Sequence, residues 1–152
     1  MAVKGRTMPN GHYLIVEARF YEDLAEEMAQ GAMAYLKEQG ATCERIAVPG
    51  ALEIPAAIKF ASLADSYDGF IALGVVIRGE TSHYDYVCNE SARGLQDLDI
   101  HYDIAVGNGI LTVENFDQAW ARAAQNKKNK GAKAAEAAMR MVSLKEQFKG
   151  EV

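Results

Sequence analysis

Residues 70–77, FIALGVVI, form a short unbroken apolar run bounded by Asp68-Gly69 and Arg78-Gly79. A segment that short with no polar face must be covered on both sides, which is the condition of a central strand in a parallel sheet. The flanking sequence supplies the covers. Residues 12–18, HYLIVEA, read as a first strand, and residues 21–39 as a helix with Leu24, Met28, Ala32, Tyr35 and Leu36 on one stripe. Gly40 is placed to end that helix. Residues 42–48 alternate as a second strand, Pro49-Gly50 breaks it, and a helix over 53–64 carries Pro55 in its first turn. Beyond the central run, a helix is expected over 82–97 and a fourth strand over 103–108, with Gly107 and Gly109 marking its end. Thr112 is the expected N-cap of a further helix running toward Gln125. The link NKKNKG then leads into a last helix over 132–148. Strands alternating with helices in this way require right-handed crossovers and a four-stranded parallel sheet between two helical layers, a three-layer αβα sandwich.

The chain has 152 residues, 49% of them hydrophobic, enough for one domain with a full core and no staples. Residues 12–152 are expected to be that domain, with the polar residues 1–11 as a flexible arm. The net charge is −5, from 16 basic and 21 acidic residues, which argues against a phosphate-backbone binder. Cys43 and Cys88 sit in no CxxC pattern, so no zinc site or disulfide framework is expected. The N-terminus has no apolar segment of signal type, and no run approaches the ~20 residues of a membrane span. A cytoplasmic protein is expected.

Ligands of open parallel sheets lie beyond the carboxyl ends of the strands. Four loops there hold unusual residues. Arg19-Phe20 follows the first strand; Phe20 is either a packing residue or a platform for a heteroaromatic ring. VPGALEIP, 48–55, places Glu53 where the helix dipole favours a carboxylate or where it can accept from ligand hydroxyls and amines. Residues 74–90, GVVIRGETSHYDYVCNE, lead a buried strand through a Gly turn and Thr-Ser into a helix, a ready anion site with His83 one turn inside. A helical His there is either solvated or a proton carrier near neutrality. The last loop offers Asn108, then Arg122 and the basic run 126–131, either a solvated link or a set of phosphate-binding cations.

Taken together, ARF near residue 20, VPGALEIP, GVVIRGETSHYDYVCNE, GNGILTVEN at 107–115 and NKG at 129–131 resemble the lumazine synthases, in family order and spacing. The resemblance runs from about Leu14 to Phe148 and implies a flavodoxin-like fold. It implies a transferase of riboflavin biosynthesis that joins 5-amino-6-(D-ribitylamino)uracil to 3,4-dihydroxy-2-butanone 4-phosphate, giving 6,7-dimethyl-8-ribityllumazine. No metal or organic cofactor is implied.

Carried position by position, the resemblance makes Phe20 the ring platform. Ala51, Leu52 and Glu53 would hold the ribityl chain and ring edge, and Val75, Val76 and Ile77 would line the pyrimidine. Glu80 and Thr81 would form the turn that receives the butanone phosphate, His83 would move protons, and Arg122 and Lys130 would hold the phosphate. Two positions depart from the family. Asn108 stands where many relatives have an aromatic that faces the pyrimidine from a neighbouring subunit. Glu80 replaces a small or neutral residue and is expected to turn its carboxylate to solvent or to Arg78. Family members assemble as pentamers, decamers or sixty-subunit shells, with active sites at subunit interfaces. A free pentamer is expected here, with the N-terminal arm adding a strand to a neighbour's sheet.

Other flavodoxin-like functions fit less well. A phospho-acceptor receiver needs an acidic cluster after the first strand, where this chain has Glu17-Ala18-Arg19, and an FMN carrier needs a Ser/Thr-rich loop there. The remaining alternative is a non-catalytic flavin- or lumazine-binding paralogue on the same scaffold.

Overall fold

The computed structural model describes residues 10–150. Its central strand is β3 (Gly69–Ile77), whose first six residues are buried. β1 (His12–Ala18) pairs with it on one side and β4 (Val106–Val113) on the other; β2 (Thr42–Val48) closes an edge by pairing with β1. Every pairing is parallel and the order is β2-β1-β3-β4. Three helices make the crossovers: α1 (Glu22–Glu38), α2 (Ile54–Ser62) and α3 (His83–Tyr102). α4 (Phe116–Ala123) and α5 (Lys130–Lys149) follow β4.

Strand alternation sorts side chains between two cores. Tyr13, Ile15, Ile71 and Leu73 face Leu24, Met28 and Leu36 of α1 and Ala134, Ala135 and Ala138 of α5. Leu14, Val16, Phe70 and Ala72 face Ile54 and Ile58 of α2 and Leu95 and Leu98 of α3. The sheet thus separates α1, α4 and α5 from α2 and α3, the αβα sandwich expected from the alternation and, in its strand order, the flavodoxin-like fold that the resemblance implies. No described helix is long and apolar enough to cross a membrane.

The fourth strand departs from the expected 103–108. α3 continues to Tyr102 because Leu98 still lies on its buried stripe, and Asp103 ends it in a left-handed conformation at φ 56°. β4 therefore starts later and runs through the two glycines. They mark close packing against α5: a Cβ on Gly107 would sit 2.0 Å from the Ala134 carbonyl oxygen, and one on Gly109 2.9 Å from the Ala134 Cβ. Thr112 is consequently a strand residue opposite Val76 and not an N-cap. The cap is Asn115, whose Oδ1 accepts from the Gln118 N–H at 2.9 Å while Gln118 Oε1 accepts from the Glu114 N–H at 2.7 Å. α4 ends before Gln125, and α5 begins at Lys130, two residues ahead of the expected start. The arm expected to add a strand to a neighbour's sheet is residues 1–11, of which 1–9 lie outside the described residues.

Candidate functional site

In the order β2-β1-β3-β4, the chain leaves β1 toward one edge and later returns to β1's other side at β3. The crevice at this reversal is where open α/β sheets place ligands. A cleft of about 330 Å³ occupies it, lined from β1's exit by Ala18, Phe20 and Tyr21, and from β2's exit by Pro49, Gly50, Ala51, Leu52 and Glu53. Val75, Val76 and Ile77 of β3 and His83 and Val87 of α3 complete the lining. The volume lies in the range of small-molecule sites, large enough for one heteroaromatic ligand.

Each lining group is placed by a local rule. Phe20 lies past the last buried residue of β1, is 76% exposed, and touches Tyr21 edge-on with ring centroids 4.9 Å apart. A ring that exposed, in T-shaped contact with only one neighbour among the described residues, keeps surface for stacking. Pro49-Gly50 turns the chain into a 3-10 turn over Ala51–Glu53, which puts Glu53 at the cap of α2. His83 is the first residue of α3, exposed, and its backbone N–H donates to Thr81 Oγ1 at 3.2 Å. The floor is apolar: Ala18 and Val87 are buried and the β3 residues half-buried.

Eight of the thirteen expected site residues therefore share one cleft: Phe20, Ala51, Leu52, Glu53, Val75, Val76, Ile77 and His83. Glu80 and Thr81 lie in the exposed turn leading to His83, outside the lining. Glu80 does not pair with Arg78. That guanidinium instead donates to Glu114 at 2.9 Å, lies 3.6 Å from Asp85, and stacks over the Tyr84 ring at 4.3 Å. Asn108 is exposed in the body of β4, opposite Ala72, and accepts from the Ile110 N–H at 2.9 Å. Arg122 on α4 donates to the Gln118 carbonyl at 3.0 Å, and Lys130 is the exposed first residue of α5. None of these three lines the cleft, and the lining contains no Lys or Arg.

Sequence reasoning missed the group behind Phe20. Glu17 is 2% exposed in β1, yet its carboxylate accepts from Arg45 Nε at 2.5 Å and from Arg19 Nη1 at 2.7 Å. Both guanidinium groups also reach Glu26 of α1, at 3.1 and 3.2 Å. Donating to the Glu17 carboxylate raises both arginine pKa values above the usual guanidinium range. The available signal was a lone acid in an apolar strand, because such a group must be paired.

Comparison with known proteins places these features in a family. A family profile described as 6,7-dimethyl-8-ribityllumazine synthase matches residues 10–146. Proteins of that name are similar over most of the chain. One from Bartonella bacilliformis is 56% identical over 141 residues, 91% of this chain and 93% of the relative. One from Agrobacterium fabrum is 55% identical over 148 residues, 94% of this chain and 100% of the relative. A protein named 6,7-dimethyl-8-ribityllumazine synthase 1 from Rhizobium meliloti is 57% identical over 145 residues, 92% of this chain and 95% of the relative.

Proposed function

The chain belongs to the 6,7-dimethyl-8-ribityllumazine synthase family, and from that premise we infer that it condenses 5-amino-6-(D-ribitylamino)uracil with 3,4-dihydroxy-2-butanone 4-phosphate. The observation that carries this reading is the cleft at the sheet's switch point, where three separate family motifs bring Phe20, Glu53 and His83 together. The ring amine attacks the ketone, and one water leaves as the imine forms. Inorganic phosphate is then eliminated, and the ribityl nitrogen closes the second ring with loss of a second water. The products are the lumazine, phosphate and two waters.

The residues divide this work. Phe20 stacks on the pyrimidine, for which stacking contributes about 1–3 kcal/mol per base. Val75, Val76 and Ile77 lie along its side, and Ala51, Leu52 and Glu53 hold the ribityl chain and ring edge. His83, at the start of α3 on the cleft wall, moves the protons of imine formation and closure. Glu80 and Thr81 form the turn for the phosphate. Holding the two reactants face to face supplies much of the acceleration.

A phosphate leaving group needs fixed cations, and the cleft of one chain offers none among its lining residues. Arg122, Lys130 and the ring-facing Asn108 therefore belong to the site of an adjoining copy in a cytoplasmic homopentamer, with residues 1–11 as an arm and the rest of the chain as one unit. The paralogue reading is not favoured, because its loss of catalysis would leave His83 without a task in the cleft. Mixing the protein with both substrates and following lumazine fluorescence tests the reaction. Absence of product together with tight riboflavin binding would overturn it. Light scattering tests the assembly: a mass near five chains is expected, and a megadalton particle would replace the free pentamer with a shell.

A further inference from the structure

The buried acid behind the cleft has no part in the chemistry above. Glu17, Arg19, Arg45 and Glu26 form a closed set of two carboxylates and two guanidinium groups joining β1, β2 and α1. Stability alone does not account for it. A buried ion pair is often no better than apolar residues of the same volume, because desolvating the charges offsets their attraction. The surrounding core is apolar and would accept such residues: Tyr13 and Ile15 precede Glu17 on the same face of β1.

The set's position suggests another use. Side chains alternate along extended backbone. Glu17 points to the α1 side, Ala18 to the cleft floor, Arg19 back to the α1 side, and Phe20 into the cleft. Arg19 is thus the last anchored residue before an aromatic that is three-quarters exposed. Its guanidinium is held at 2.7 Å by Glu17 and at 3.1 Å by Glu26, so it is tied to both the strand it leaves and the helix it enters. Arg45 at 2.5 Å fixes the Glu17 carboxylate from the neighbouring strand. Besides that tether, the T-shaped contact with Tyr21 is the one ring contact Phe20 makes among the described residues.

We propose that Glu17 is a positioning residue for the ring-binding platform. Through Arg19 it fixes the backbone at 19–20, so that the Phe20 ring stands across the cleft before ligand arrives. This rests on the cleft being the pyrimidine site. Preorganisation of this kind acts on binding, because a ring that must first be ordered stacks less favourably.

The test is a double-mutant cycle read by 6,7-dimethyl-8-ribityllumazine binding, followed by its fluorescence, alongside kcat and KM. Arg19→Met keeps the buried Glu17–Arg45 pair and releases only the tether. It is expected to weaken binding by about five- to tenfold and to raise KM for the pyrimidine similarly, with kcat within about twofold. Arg19→Lys should recover part of the loss. Glu17→Gln should resemble Arg19→Met; if it fails to fold, the Arg19 series decides. In a Phe20→Ala background, Arg19→Met should change binding by less than about twofold, since the ring it positions is gone. Equal losses with and without Phe20 would overturn the positioning role while leaving the ligand reading intact. A wild-type protein that binds no lumazine would overturn both.

Discussion

Gly131 illustrates how a motif glycine can serve a binding site through packing. It is the second residue of α5, directly after Lys130, and is buried against α1. A Cβ built on it would lie 2.0 Å from the Met28 carbonyl oxygen and 2.9 Å from the Met28 Cα. Those are backbone atoms, so no rotamer change can relieve the contact, and Gly131→Ala must part the two helices by about 1 Å. Overpacking of this kind costs about 2–3 kcal/mol. For a chain of this length that lowers Tm by about 4–12 °C. Thermal melts at equal protein concentration, so that assembly does not distort the comparison, provide the readout. Gly79→Ala is the control: its Cβ would meet nothing within 4 Å, and its melt should stay within about 0.5 kcal/mol of wild type. Because α5 carries Lys130, the displacement should also raise KM for the phosphate-bearing substrate more than for the pyrimidine. A Gly131→Ala protein melting within about 1 °C of wild type would refute the claim that close backbone approach requires this glycine.

Other outcomes follow from single contacts. His83→Ala should slow turnover by about ten- to a thousandfold with folding intact, since proximity remains when proton transfer is lost; steady-state kinetics would remove His83 from the mechanism if the rate were unchanged. Asn115→Ala removes the side-chain cap of α4 and should cost about 1 kcal/mol in a urea melt, whereas Thr112→Ala should not act through the cap. Hydrogen bonds from Gln30 and Arg45 hold the Glu26 carboxyl at about 2, below its ordinary 4.5. Its contribution is therefore complete above about pH 4.5 and lost as pH falls toward 2. Glu26→Gln should accordingly lose less stability than wild type between pH 5 and pH 2, and parallel acid-induced melts would refute this.

The parts of the fold that were legible in the sequence are those decided by local pattern. FIALGVVI had to be a doubly covered strand, and it is β3. Pro49-Gly50 had to turn the chain, and Glu53 follows from that turn. The site loops were legible for the same reason: Phe20, Glu53 and His83 each lie between a strand end and the first turn of the helix that follows. What stayed hidden was decided by distant partners. Gly107 looks like a strand end until Ala134 is seen lying against it. Thr112 reads as a cap until pairing with β3 claims it for the strand, which leaves Asn115 to cap α4. Glu17 reads as an odd acid because its partner Arg45 is 28 residues away, on the adjacent strand.

Asn108, Arg122 and Lys130 belong to a third case, since no arrangement within one cleft gathers them with Phe20. If the site is shared between neighbours, Phe20 and Arg122 must act from different chains, and this has a decisive consequence. Phe20→Ala and Arg122→Ala homo-oligomers should each be impaired at every site. When the two variants are unfolded, mixed equally and reassembled, a site becomes intact wherever an Arg122→Ala chain supplies Phe20 and its neighbour supplies Arg122. Random assembly around a ring makes that about one quarter of the sites, so the mixture should regain about a quarter of wild-type activity. If both residues served one chain's own site, no chain in the mixture would carry the intact pair and no activity would return. Recovery absent from a mixture shown by mass to contain both variants would place Phe20 and Arg122 in one chain's own site and refute the shared one.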